Sequence, residues 1–200
     1  AAPGETLESN PAFYEAAPGL DALREMVNGK QAEFNEGSKV TKLELVLFKD
    51  ALEHMCRISR VLAMDGGNGL LVGVGGSGKQ SITRLAAYTA CADVFTITLT
   101  RGYNEALFRD DLKTLYGMLA TQAVAFFFSD AHVAEEGFLE LVNNMLTSGM
   151  VPALYEEAEK DGIVGNIRDE AVKKGALDSK ESVWNYFVGK CRDNLHVVLA

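Results

Sequence analysis

The stretch LLVGVGGSGKQS, Leu70 to Ser81, decides how the chain is read. With Gly69 it opens as GLLVGV, an apolar run of strand length, which predicts a strand buried on both faces. Gly73, Gly75, Gly76 and Gly78 follow with Ser77 among them, and then Lys79, Gln80 and Ser81. Glycines allow backbone conformations and a close approach that side chains would forbid. Beyond them, Ile82, Leu85, Ala86 and Thr89 would share the inner face of a helix. Strand, glycine loop and helix together are the setting of a phosphate-binding loop. In such a loop the amide groups converge on an anion and the helix N-terminus adds attraction. Gly73, Gly75, Gly76, Ser77, Gly78, Lys79, Gln80 and Ser81 are therefore the expected nucleotide contacts, with Lys79 bringing a full charge to the terminal phosphates.

One position departs from the pattern. Such loops place Ser or Thr after the lysine, where the hydroxyl helps to hold Mg²⁺; here that residue is Gln80. Ser81 cannot simply substitute, because one step along a helix turns a side chain by about 100°. Metal affinity should fall, whereas phosphate affinity rests on backbone and lysine. The second half of the site would be an acid at the end of another buried strand, and AVAFFFSD supplies Asp130. Asp130 and Gln80 are the candidate Mg²⁺ ligands. In ATPases that cleave nucleotide, a carboxylate beside this aspartate commonly activates water, but position 131 is Ala131. Glu135 and Glu136 read as acids of a helix N-terminus. Val46, Leu47 and Phe48 in LELVLF could wall an adenine pocket, though core is an equally good reading of them.

Outward from the loop, strand and helix periods alternate. VFTITLT (Val94 to Thr100) reads as a second strand, AVAFFFSD as a third and LHVVLA as a fourth. Asn104 can cap a helix with Phe108, Leu112, Leu115 and Leu119 on one side. Phe138, Leu141, Val142, Met145 and Leu146 define another, stopped by Gly149. Pro152 to Gly175 is charged and interrupted by Gly162 and Gly165, and no element is predicted there. A helix resumes after Asp178 or Ser179, with Glu181 placed for a capping box and Trp184, Phe187, Val188 and Cys191 on one face.

Before the loop, Phe48, Leu52, Met55, Ser59 and Leu62 mark a helix closed by DGGNG. Leu20, Leu23, Val27 and Phe34 mark a weaker one closed near Gly37, after an extended lead-in from Ala1 to about Gly19. The organisation expected is a lead-in and N-terminal helix over 1–40, then an α/β nucleotide-binding subdomain over 41–200. The sheet would be open and mostly parallel, flanked by helices, and cut short after its fourth strand.

Composition excludes some functions. At 48% hydrophobic and 24% charged, the 200 residues are those of a globular domain without a membrane-length apolar run. A net charge of −9 without a dense Lys/Arg cluster lacks the footprint of a nucleic-acid binder. Cys56, Cys91 and Cys191 are scattered and odd in number, which suggests neither a disulfide framework nor a zinc site and fits a reducing, cytoplasmic compartment. His54 and His132 read as surface or capping residues and His196 as a strand residue.

Several segments together resemble dynein heavy chains: LVLFKDALEHMCRISRVL, GNGLLVGVGGSGKQSITRLAA, VFTITLTRGYNEALFRDDLKTLY, FFFSD, FLELVNNMLTSGMVPALY and WNYFVGKCRDNLHVVLA. The resemblance is to the fourth AAA+ module of the motor ring in axonemal dyneins, and it covers the chain from about Leu20 onward. Gln after the lysine is itself a habit of that module. The resemblance implies the large subdomain of a P-loop NTPase of the AAA+ class, with the fifth strand, the small helical subdomain, the polar sensor and the trans-acting arginine outside these residues. It implies ATP or ADP at the loop, with Mg²⁺ possible, and a regulatory or structural role. The neighbours implied are other AAA+ modules of the same chain, microtubules through a remote stalk, and dynein intermediate and light chains. The place implied is the cytoskeleton of a cilium or flagellum. Two alternatives stay open: a hydrolytically active P-loop ATPase, and an architectural module that holds no ligand. No LSGGQ-like segment supports an ABC-type ATPase.

Overall fold

The computed structural model describes Ala17, residues 19–37 and residues 42–200. The expected lead-in lies outside the described residues apart from Ala17 and Gly19. The described residues form two compact units, one ending at His54 and one beginning at Met55.

In the first unit, α1 (Leu20–Gly37) buries Val27. An extended segment follows, in which Leu43 and Leu47 are buried. Among the described residues no strand pairs with it, and side chains of α1 take up part of its backbone. The Asn35 amide donates to the Leu43 carbonyl at 2.9 Å while its oxygen accepts from the Leu43 N–H at 2.7 Å. Arg24 Nε donates to the Leu47 carbonyl at 3.0 Å. The helix α2 (Lys49–Leu62) begins in this unit and ends in the next.

The second unit is an α/β fold. Its strands are β1 (Gly69–Leu70), β2 (Asp93–Phe95), β3 (Val124–Phe128) and β4 (Leu195–Leu199). They form one sheet in the order β1-β4-β3-β2, with every pair parallel. The helices between them are α3 (Lys79–Thr89), α4 (Glu105–Leu119), α5 (Gly137–Ser148), α6 (Glu157–Lys173) and α7 (Lys180–Asn194).

Strand alternation sorts the aromatic run of β3 into two layers. Phe126 and Phe128 join the large core cluster with Phe108, Leu112, Phe138, Val183 and Phe187 of the helices. Phe127 is buried outside that cluster, on the other face of the sheet, where α3 buries Leu85, Ala86 and Ala87. The α4 face is as the periodicity predicts, with Phe108, Leu112, Leu115 and Leu119 fully buried. Within the core, Tyr116 donates its hydroxyl to the Gly149 carbonyl at 3.0 Å, and Gly149 closes α5 in the left-handed region at φ +76°.

Four expectations need correction. Among the described residues the strand predicted as doubly buried is a two-residue ladder paired with β4 alone, and Leu70, Val72 and Val74 are 70%, 91% and 79% exposed. Among these residues β4 alone lies beside it, and its apolar run is left uncovered there. The second strand pairs only over Asp93–Phe95, where β3 supplies partners; of Thr96 to Thr100 only Ile97 is buried. The segment in which no element was predicted contains α6. Its Val164, Ile167 and Ala171 are buried at helical spacing, and packing on α7 outweighs the roughly 1 kcal/mol that each interior glycine costs. Finally, α7 is capped by Ser179, which accepts from the Ser182 N–H, so Glu181 is one place too early for a capping box. Asp178 instead pairs with Arg168 at 2.6 Å.

Candidate functional site: a phosphate loop facing a strand-end acid

A cavity of about 480 Å³ lies at the carboxyl ends of the strands, where open α/β sheets place their ligands. Its walls are the loop and first turn of α3 (Gly73, Gly75, Gly76, Ser77, Gly78, Lys79, Gln80, Ser81) and the turn after β3 (Ser129, Asp130, Ala131), with Phe127 and Ala200. The eight loop residues predicted from the sequence and Asp130 are therefore brought together. Val46, Leu47 and Phe48 belong to the first unit, where Leu47 is buried while Val46 and Phe48 are 82% and 59% exposed.

The loop takes its shape from its glycines. Gly76 and Gly78 have φ of +76° and +80°, which other residues adopt only under strain. A Cβ on Gly73 would stand 3.1 Å from Ser77 Oγ and 3.8 Å from Lys79 Cδ. Ser77 N–H closes the loop on the Val74 carbonyl at 3.3 Å. Gly78 is the N-cap of α3 and offers no side-chain acceptor, and the helix ladder begins with Ile82 N–H on the Gly78 carbonyl at 2.9 Å. The amides of Lys79, Gln80 and Ser81 thus start the helix without intrahelical partners, which is the arrangement that binds anions. Lys79 Nζ donates to the Gly73 carbonyl at 2.6 Å, which holds the ammonium over the loop. Thr83, fully buried, donates its hydroxyl to the Lys79 carbonyl at 2.8 Å and braces that first turn.

Across the cavity, Asp130 begins a 3-10 turn (Asp130–His132) directly after β3. Its carboxylate is exposed and makes no hydrogen bond or ion pair with another described residue, so its oxygens are free to serve a ligand. Ser129 and His132 close this turn reciprocally. Ser129 N–H donates to His132 Nδ1 at 3.0 Å, and His132 N–H donates to the Ser129 carbonyl at 2.8 Å. Burial holds the His132 imidazole below its usual pKa, which favours the neutral, accepting ring. His132 is thus a capping residue, one of the two roles the sequence suggested.

A magnesium ion fits this chemistry. Asp130 and the Gln80 amide offer hard oxygen donors and line one cavity. No cluster of three His, Cys, Asp or Glu exists among the described residues, so phosphate oxygens and water would complete the shell, as Mg²⁺ prefers. No described helix is long and apolar enough to cross a membrane.

Phe127, Ser129 and Ala200 are wall residues that escaped the sequence reading. Phe127 and Ser129 share the face of β3 opposite the aromatic core, and the period-two pattern of FFFSD carried that signal.

A family model for the P-loop containing dynein motor region D4 matches residues 43–200. The chain belongs to the dynein heavy chain motor family. Among dynein relatives, it is 56% identical over 195 residues to the Dynein-1-alpha heavy chain of the flagellar inner arm I1 complex of Chlamydomonas reinhardtii. It is 55% identical over 194 residues to human Dynein axonemal heavy chain 10, and each alignment covers 96% of this chain. The gamma chain of the Chlamydomonas flagellar outer arm is 46% identical over 202 residues. The dynein segment spans about 4% of the length of the curated relatives it matches. Its parallel sheet and glycine loop are those of a P-loop domain of the AAA+ class.

Proposed function

We propose that this segment holds an adenine nucleotide, ATP or ADP, in an axonemal dynein heavy chain and hydrolyses it slowly or not at all. Its role there is regulatory or structural, within an ATP-driven microtubule motor of cilia and flagella. The observation that carries the reading is the composition of one cavity: everything that grips phosphate lines it, and Ala131 stands beside Asp130 where a water-activating carboxylate would be. Glu135 and Glu136 lie at the start of α5 and do not line the cavity. General-base assistance is worth about 10²–10⁴ in rate, so its absence leaves a bound nucleotide long-lived.

Phosphates would rest on the amides from Gly75 to Ser81, Lys79 would exchange the Gly73 carbonyl for a terminal phosphate, and Asp130 with Gln80 would hold Mg²⁺. Val46, Leu47 and Phe48 are proposed to meet the base. The partners this reading brings are the neighbouring AAA+ modules of the same chain, microtubules through a stalk, and the intermediate and light chains of an axonemal complex.

Lys79→Ala in the full-length heavy chain tests the proposal. With a photoreactive adenine nucleotide, the peptide carrying this module should lose its label while most ATP turnover by the motor survives. A wild-type module that takes no label at millimolar nucleotide would overturn it.

A further inference from the structure

We propose that His132 is a positioning residue for the magnesium side of the site, acting through Ser129 to fix the turn that presents Asp130. The inference rests on the reading of the cavity as a nucleotide site. Where β3 ends at Phe128, the chain must reverse into a 3-10 turn while its polar groups leave the sheet ladder. The backbone N–H of Ser129 is the first without a strand partner, and His132 Nδ1 accepts it at 3.0 Å, with Ser129 Oγ 3.3 Å from the same nitrogen. The return bond from His132 N–H to the Ser129 carbonyl is 2.8 Å, and Val133 N–H reaches the Asp130 carbonyl at 3.2 Å. Asp130 N–H in turn donates to the Ala200 carbonyl at 3.2 Å, and Ala200 N–H to the Phe128 carbonyl at 3.0 Å. The backbone of Asp130 is thus tied on both sides while its carboxylate faces the cavity.

The imidazole does not line the cavity. It sits half-buried behind the turn, edge-on to Phe127 at 6.2 Å between ring centroids and 5.8 Å from Phe128. Whatever it contributes to a ligand therefore passes through the Ser129–Asp130 backbone. Nδ1 must be an acceptor, because Ser129 offers it an N–H. An asparagine places its amide oxygen near the position of Nδ1, whereas a glutamine places its own near Nε2. That difference separates positioning from mere bulk.

The test uses the full-length heavy chain and an azido-adenine nucleotide, with the labelled loop peptide quantified by mass spectrometry in Mg²⁺ and in EDTA. Wild type should bind more tightly with Mg²⁺. In His132→Gln the unpaired Ser129 N–H should cut that Mg²⁺-dependent gain about five- to tenfold, the ordinary worth of one such bond. Affinity in EDTA, carried by the loop and Lys79, should stay as in wild type and report an intact fold. His132→Asn should restore most of the Mg²⁺ gain. A His132→Gln protein with the full gain, a His132→Asn protein no better than His132→Gln, or a wild type without any gain would each overturn the proposal. A wild type unlabelled in both conditions would remove the nucleotide reading itself, and the positioning role with it.

Discussion

Gly76→Ala isolates the backbone's part in phosphate binding. Gly76 sits at φ +76°, and a Cβ built there meets nothing within 4 Å, so the substitution creates no clash and acts through conformation alone. An L-residue in the left-handed region costs roughly 1–2 kcal/mol, and a loop that must pay this to bind loses about five- to thirtyfold in affinity. Asparagine tolerates that region better than alanine, so Gly76→Asn should fall between wild type and Gly76→Ala despite its larger side chain. Gly75→Ala is the complementary control: Gly75 has no positive φ and open space around it, so the empty loop should keep its shape. Any loss of affinity there would come from a methyl group in the space the phosphates occupy. The assay is nucleotide titration of the full-length heavy chain with photolabelling of the loop peptide, which separates this site from others. Unchanged affinity in Gly76→Ala would refute the claim that this loop conformation is the binding one. Weaker binding in Gly76→Asn than in Gly76→Ala would replace the conformational explanation with a steric one.

Other outcomes follow from the same geometry. Ala131→Glu places a carboxylate on the cavity wall and should raise ATP turnover at this site by up to about 10²–10⁴; the added turnover should vanish when Lys79→Ala is combined with it. Cys191 is fully buried with its thiol pushed up to about 12, so iodoacetamide on the native chain should modify exposed Cys91 and spare Cys191 until the protein unfolds. His196 is buried and donates Nδ1–H to the Gly67 carbonyl at 2.9 Å, and burial holds its pKa below the ordinary value of about 6.5. Its neutral form is therefore the folded form. Stability is full above about pH 6.5 and falls as pH drops toward the folded pKa. Hydrogen exchange of the β4 peptide, corrected for chemical rate, should quicken between about pH 7.5 and 5.5, and a flat profile would contradict the assignment.

What was legible in the sequence is what periodicity and local chemistry encode. The α4 face, the all-buried β3 and the glycine loop each follow from side-chain spacing within a single element. The shortness of the β1 ladder does not, because an apolar run states a preference for burial while neighbouring strands supply it, and among the described residues β4 alone does so. Leu70 and Val72 look like core, and among the described residues they are left exposed. In α6, Gly162 and Gly165 hide a helix that is held by its packing against α7, information residing in another segment. The site divides the same way. Gly73 to Ser81 is contiguous and readable, and Asp130 could be paired with it because strands of an open sheet end on one side. Phe127 and Ser129 needed the period-two alternation to be carried past the end of the strand. The reciprocal bonds of Ser129 and His132 needed the turn itself, since no spacing rule specifies a histidine acceptor for a 3-10 start.

The most direct test of the central claim is a cryo-electron-microscopy map of the intact heavy chain at millimolar ATP and Mg²⁺, read at this loop. An adenine nucleotide should be present there, its phosphates on the amides from Gly75 to Ser81 and in contact with Lys79, with Asp130 facing the metal. An empty loop at that concentration would contradict the claim.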